Sequence, residues 1–553
     1  GAAAAAQARD HTLILVRPDA IASRKAHMLL DWLPAHGFRL SACVALSIDR
    51  HQVRSLWQYQ WNAAPREYRD ACDALMDACP SLLLVIANEA PLQEAASLRF
   101  SRLMGAADPA MRCPHDLRVL PGQPSRMPSL LHAPDEAADF VREIAILLPE
   151  RQRKALFAGM LGGTAMPVAE AQAEVSALYG RVAEHSLDLH GALARVAAAV
   201  DTVAASNTEG RQVLLDHPPR EGKARPDAFA ADQGVLIDQR FGSPIPGGLT
   251  EIADKATLYA IDTCFREGWE DLVAMAGDAA TGLAFGHSMM LVKPDALVSH
   301  RLDVVLDWLP RHDFEVVAGI PVTVSPDQAK ALWRYQFNCA PRIRKDAYMA
   351  LFEASPSLLL VVRSTQDPHV SAAKRLANLK GPADPSLQRA DNLRAWLGNV
   401  THLLSFVHAA DEPADLVREL AILLPTAQRK AVHARMSDGV GIPVRELRAI
   451  AAGICQDMPR HSLALPEAVA RIEKLALAAA GMSAADRETV AAFCERVGTG
   501  AAADWRVLFD LLDDRGIRYD RWDRITIAAH TSDVVEPHLE PLLPGAVPLT
   551  DHA

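Results

Sequence analysis

Basic residues are in the minority, aromatics are scarce, and the cysteines follow no recognisable spacing. Lys and Arg number 57 against 68 Asp and Glu, a formal charge of -11. That balance argues against a sequence-independent grip on nucleic acid and leaves no polybasic patch for a membrane surface. Small polar or anionic ligands stay open, because a local basic cluster can sit on an acidic protein. No apolar run approaches the roughly 18–20 residues a membrane helix needs, and the opening seven residues lack the basic region and length of a secretory leader. A cytoplasmic protein is therefore expected, with neither nucleic acid nor membrane as partner. None of the eight cysteines forms a CxxC pair, which speaks against a zinc ribbon or a redox dithiol.

What is present instead is a duplication. Residues 10–200 recur at a constant offset of 276 without insertion or deletion. Ser129-Leu130-Leu131-His132 returns as Ser405-Phe406-Val407-His408, and Gln152-Arg153-Lys154-Ala155 as Gln428-Arg429-Lys430-Ala431. The cysteines do not follow this register: Cys43 stands opposite Gly319, Cys79 opposite Ser355 and Cys113 opposite Arg389. A disulfide or metal framework belonging to the module would have been copied with it, so reduced, incidental thiols and no metal site are expected.

Each copy opens with a buried strand ahead of a Pro-Asp turn, Thr12–Val16 and Met289–Val292. Helical patterns at 23–35 and 299–311, strands at 38–46 and 314–324, and helices at 49–60 and 66–78 lead to the apolar runs 81–86 and 357–362. A helix at 91–104, a short strand into His132 and a helix at 135–148 complete the unit. This order predicts an α+β fold, a four-stranded antiparallel sheet with helices on one face. The expected domains are modules at 10–149 and 287–425, helical annexes at 150–200 and 426–476, a connector at 201–286 and a divergent tail at 477–553. The tail is expected to end in a strand over Ile517–Ala528.

The turns Val16-Arg17-Pro18-Asp19-Ala20 and Val292-Lys293-Pro294-Asp295-Ala296, the segment Leu103–Pro109 and the two histidine segments resemble nucleoside diphosphate kinase over about 140 residues of each half. The resemblance implies ferredoxin-like modules that move a γ-phosphoryl group between nucleotides through a phosphohistidine, with Mg2+ travelling on the nucleotide. It places His132 and His408 at the nucleophile, with Glu143 and Glu419 eleven residues on. A carboxylate there could hold one imidazole nitrogen and leave the other to attack phosphorus. Arg118 and Arg394 fall on the arginine of the phosphate-binding loop, and Lys293, with Arg17 in the first copy, on the lysine of the first turn. Because the family assembles through dimers, the fused halves imply an intramolecular pseudo-dimer, with further homo-oligomerisation open.

Other family positions are changed. Its helix arginine is Ser101 and Ala377, its phosphate-binding threonine Ala107 and Ala383, and its asparagine before the histidine Ser129 and Ser405. Losing several contacts, each worth roughly 1.5–3 kcal/mol when charge-assisted, weakens an ordinary triphosphate site. A segment foreign to the family recurs where its nucleotide lid lies. Its Tyr59, Asn62 and Arg66, repeated as Tyr335, Asn338 and Arg342, are candidates for a polar ligand pocket. Three readings follow: a divergent histidine-dependent phosphotransferase acting on a nucleotide or other phosphorylated small molecule, a catalytically silent nucleotide-like ligand-binding or scaffold protein, or a repurposed fold using His/Glu acid–base chemistry. Lys293 against Arg17 is the clearest difference between the halves and marks the second as the principal one.

Overall fold

The computed structural model describes residues 2–553 apart from 62–63, 90–92, 123–126, 164, 205–244, 367–368, 457, 500–502 and 544–553. The chain divides into two compact units, Gly1–Asp238 and Gln239–Ala553, each built on its own four-stranded sheet.

In the first unit the strands are β1 (His11–Val16), β2 (Phe38–Leu46), β3 (Ser81–Asn88) and β4 (Leu131–His132), in the order β2-β3-β1-β4 and all antiparallel. The helices that matter are α1 (Ala2–Asp10), α2 (Ala26–Ala35), α3 (Arg50–Leu56), α4 (Arg66–Asp77), α5 (Ala96–Met104), α6 (Ala137–Leu147), α7 (Glu150–Leu161) and α8 (Val168–Arg181). They cover both faces of the sheet, where the sequence predicted one. Ile14, Val16, Leu82, Leu84 and Ile86 join α2, Phe100 and the α8 residues Val175 and Leu178 in one core. Leu13, Leu15, Leu83 and Val85 join Val53, Met76, Phe140 and Ile144 in another. The reason lies in β1 and β3 themselves. Their apolar runs are continuous, and a strand apolar on both sides must be buried on both sides.

The second unit repeats this with β5 (His287–Val292), β6 (Phe314–Val322), β7 (Ser357–Ser364) and β8 (Val407–Ala409) in the order β6-β7-β5-β8. A register shift between Leu40 and Ala42 in β2 recurs between Val316 and Ala318 in β6. At each shift a carbonyl is freed to accept from the following annex: Met166 N–H donates to Leu40 O at 2.8 Å and Ile442 N–H to Val316 O at 2.7 Å.

The expected connector, 201–286, lies partly outside the described residues. Its later part is not a linker but three helices of the second unit, α9 (Ala253–Ile261), α10 (Thr263–Ala276) and α11 (Ala280–Gly286). They precede α12 (Leu302–Arg311), α13 (Arg342–Ala354), α14 (Ala372–Lys380), α15 (Pro413–Leu423), α16 (Thr426–Asp438) and α17 (Val444–Cys455). The tail is helical as well: α18 (Leu465–Ala478), α19 (Ala484–Gly498), α20 (Trp505–Asp514) and α21 (Arg521–Thr531). Of the strand expected over Ile517–Ala528, the part from Arg521 onward is thus helix. Asp520 caps it by accepting from Trp522 N–H, and Trp522, Ile525 and Ala529 fall on one helical face toward the core.

Candidate functional site

His132 lies opposite Leu15 and His408 opposite Leu291, each on the short outer strand beside the first. The residue two positions earlier is strained in both copies, Leu130 at φ 65° and Phe406 at φ 60°. The aspartate of each Pro-Asp turn holds that strain in place. Leu130 N–H donates to Asp19 Oδ2, and Phe406 N–H to Asp295 Oδ2, both at 2.8 Å. From the next helix, α6 or α15, a carboxylate reaches back: Nε2 of His132 lies 2.9 Å from Glu143 Oε2, and Nε2 of His408 lies 2.9 Å from Glu419 Oε2. An indole stands edge-on to each imidazole, Trp57 at 5.2 Å and Trp333 at 5.4 Å between centroids. Each histidine side chain is 17% exposed, and neither Nδ1 has a hydrogen-bond partner among the described residues. The arrangement offers one partner-free imidazole nitrogen opposite a carboxylate-held one.

The cations around the histidine serve its support. Lys293 is buried and donates to Leu403 O at 2.6 Å. Arg17 donates to the matching carbonyl, Met127 O, at 2.8 Å, and to the Ser129 hydroxyl. Lysine and arginine therefore do the same work in the two copies, and this weakens the asymmetry the sequence suggested. Arg118 donates to Gly105 O and Leu131 O, both at 3.0 Å. Arg394 donates to Gly381 O at 2.8 Å, Val407 O at 2.6 Å and Ser405 O at 3.3 Å. Burial pushes both guanidinium groups down to about 10, still charged at neutral pH. Placed at a phosphate by resemblance, these arginines instead tie the histidine strand to the α5 and α14 helix ends.

Among the described residues, the lid positions are not brought together as a pocket. Tyr335 is buried and its hydroxyl donates to Asp262 at 2.9 Å. Asn338 donates to Glu540 O at 2.8 Å and accepts from Leu542 N–H at 3.2 Å. The chain's own flanking segments thus occupy the groups expected to meet a ligand. Arg342 is half exposed beside Asp346 at 3.8 Å. In the first unit Tyr59 is exposed over Arg142, Arg66 lies 3.3 Å from Asp70, and Asn62 falls outside the described residues. Arg344, two residues past the expected arginine, helps line a cavity of about 220 Å³ with His402, Leu403 and His530. Leu403 is the residue whose carbonyl holds Lys293, so this cavity adjoins the histidine loop. Burial, reinforced by Arg344, lowers the His402 pKa.

One site residue escaped the sequence reading. Lys380 is buried at the end of α14, with Nζ 3.3 Å from Ala409 O and 3.4 Å from Asp411 Oδ1. Burial lowers its pKa, opposed by Asp411. Its counterpart is Met104, and in the first unit Asp135 accepts from Ser101 instead, at 2.7 Å. The signal was a mismatch in the internal alignment, a lysine opposite a core methionine.

The sequence pattern of nucleoside diphosphate kinase matches residues 10–153 and 286–428, just over half the chain. The protein belongs to that family. A thioredoxin domain-containing protein 3 homolog of Heliocidaris crassispina is 26% identical over 141 residues, which cover 25% of this chain and only 16% of that protein. Among solved structures, the Aquifex aeolicus nucleoside diphosphate kinase shares 21% identity over 26% of this chain and 96% of its own, at TM-score 0.22. The Encephalitozoon cuniculi enzyme shares 17% over 26% and 98%, also at TM-score 0.22. No helix among the described residues is long and apolar enough to cross a membrane.

Proposed function

We propose that the second unit is a divergent histidine-dependent phosphotransferase acting on a nucleotide or other phosphorylated small molecule. The observation that carries this is the His408–Glu419 pair at 2.9 Å, which leaves Nδ1 without a partner among the described residues and is repeated at His132–Glu143. In the reaction, Nδ1 attacks the terminal phosphorus, a P–N bond forms and the P–O bond to the leaving phosphate chain breaks. The carboxylate stabilises the cationic imidazole so created, and an acceptor phosphate then takes the group back. The family implies Mg2+ with the nucleotide. Among the described residues no cluster of three or more His, Cys, Asp or Glu is placed to hold a metal.

A second reading, a catalytically silent binding or scaffold protein, draws support from Lys293 and Arg394 being turned to backbone carbonyls, from the burial of Tyr335 and from the bonding of Asn338 to the chain's own Glu540 and Leu542. Intact-mass measurement after incubation with ATP and Mg2+ separates the two. The phosphotransferase gains one acid-labile phosphoryl group, lost in His408→Ala and retained in His132→Ala. Absence of any gain in the wild-type chain selects the silent protein, and gain confined to the first histidine moves the activity to the other unit.

A further inference from the structure

The cavity of about 220 Å³ in the second unit lies where three elements meet. Arg344 comes from the first turn of α13, Thr401 and His402 from the loop ahead of the histidine strand, and His530 and Ser532 from the end of α21. The rest of its lining is apolar, and no carboxylate is among the lining residues. The volume falls below the roughly 300–1,000 Å³ of pockets that enclose a drug-sized molecule, so it suits a small group. Two of its cationic positions were not copied with the module: the first half has Tyr68 and Arg126 where the second has Arg344 and His402. The third wall, α21, belongs to the tail, beyond the segment that the family pattern matches.

The polar groups facing this cavity are short of acceptors. The Arg344 guanidinium gives one N–H to Val534 O and lies over the Tyr348 ring at 5.6 Å. Its Nε is buried without a hydrogen-bond partner, and its other terminal nitrogen has none among the described residues. His402 Nε2 meets Asp384 Oδ2 at 3.4 Å, which leaves Nδ1 unpaired among the described residues. Both ring nitrogens of His530, exposed at the rim, are likewise unpaired there. Thr401 Oγ1 accepts from Leu404 N–H at 2.9 Å, and its own hydroxyl hydrogen has no acceptor among the described residues. Donors left over in a recess without a carboxylate call for an acceptor from outside.

We infer that this cavity binds a small dianionic oxyanion, a phosphate or sulfate group, held by Arg344, His402 and His530 with a hydroxyl bond from Thr401. The charges that act on His402 are Arg344, Arg394 and, in the opposite sense, Asp384, while Asp533 at the end of α21 lines a separate groove. Burial holds both imidazoles below their ordinary pKa, helped at His402 by Arg344. A bound dianion favours their protonated forms and reverses that shift. Occupancy therefore takes up protons and strengthens as pH falls.

Sulfate is the probe, because its charge stays constant between mildly acid and neutral pH. Isothermal titration of the full chain should show a saturable site whose Kd tightens by about tenfold or more from neutral to mildly acid pH, with proton uptake seen as a buffer-dependent heat. Arg344→Gln should weaken binding by about tenfold or more. Because that change also gives up the bond to Val534 O, His530→Gln is measured beside it, at a side chain with no hydrogen bond to lose among the described residues. It should flatten the pH dependence of sulfate binding. Repeating the titration with ATP at saturation distinguishes the two sources of the anion: unchanged sulfate affinity assigns a free oxyanion, and displaced sulfate assigns a phosphate carried on the nucleotide. Phosphoryl uptake at His408 plays no part in these readouts, so the site stands or falls apart from it. Affinity unchanged in both variants, or equal at the two pH values, overturns the inference.

Discussion

At the scale of single residues, the cations of this site act first on the backbone. Arg394 satisfies three carbonyls from a fully enclosed position, and nothing smaller reaches all three. Arg394→Met should destabilise the second unit by about 3 kcal/mol or more, since each abandoned buried carbonyl costs roughly 1–3 kcal/mol; urea denaturation at neutral pH reads it. Lys380 is the opposite case. Its two contacts are long, at 3.3 and 3.4 Å, and burial disfavours its charge. Lys380→Met, which installs the residue of the first copy, should raise stability by on the order of 1 kcal/mol while slowing phosphoryl uptake at His408, because a cation beside the histidine strand is lost. Stability and uptake falling together would make Lys380 a structural residue. The dyads themselves were legible in the sequence, since His and Glu eleven apart recur in register. The settled duties of Arg118, Arg394 and Lys293 were not, because a carbonyl partner leaves no mark on residue identity.

At the scale of elements, the pattern of apolar runs conveyed the strands and their order of appearance. It did not convey that both faces of each sheet are covered, although Leu82–Ile86 and Leu358–Val362 are apolar at every position. The α9–α10 hairpin was missed because the region before it is rich in Pro and Gly and reads as linker. The tail helix Arg521–Thr531 was misread because Ile525, Thr526 and Ile527 are β-branched, while the Asp520 cap and the 3–4 spacing decide for helix. The crossing of α10 on α15 rests on one missing atom. Gly268→Ala puts a Cβ 2.4 Å from Val417 O and 3.1 Å from Val417 Cγ1, so the helices must part. The expected cost is roughly 2–3 kcal/mol, and the bonds of Lys255 and Tyr259 to Asp415 and of Asp262 to Arg418 should loosen with it. Faster amide exchange in both 253–261 and 413–423 checks the claim, whereas exchange unchanged in 413–423 would show that the hairpin packs independently of its glycine.

At the scale of the whole molecule, the units should respond differently to acid. His433 is buried on α16, and burial together with the neighbouring Arg429 guanidinium pushes its imidazole down to about 4, against the pull of Asp271. A depressed folded pKa means that the unfolded chain takes the proton first. The stability contributed is therefore fully present above about 6.5 and is lost as pH falls toward 4. His402 and His530 of the same unit are lowered too, chiefly by burial, and add with the same sign; His287 is lowered likewise, but so is its first-unit counterpart His11. The carboxylates held low, Asp262 by Arg418 and Tyr335 against its burial and Asp523 by His461 and Arg471 against its own, lose their share only below the usual carboxylate range. Acidification from pH 7 to pH 5 should thus cost the second unit about 2 kcal/mol through His433 alone, at 1.36 kcal/mol per pKa unit. The first unit has Phe157 at this position, a side chain with no proton to take. His433→Phe should flatten the pH 7 to 5 difference in unfolding free energy by that amount, measured by urea denaturation with hydrogen exchange to separate the units. An unaltered slope would place the acid sensitivity on the other three histidines.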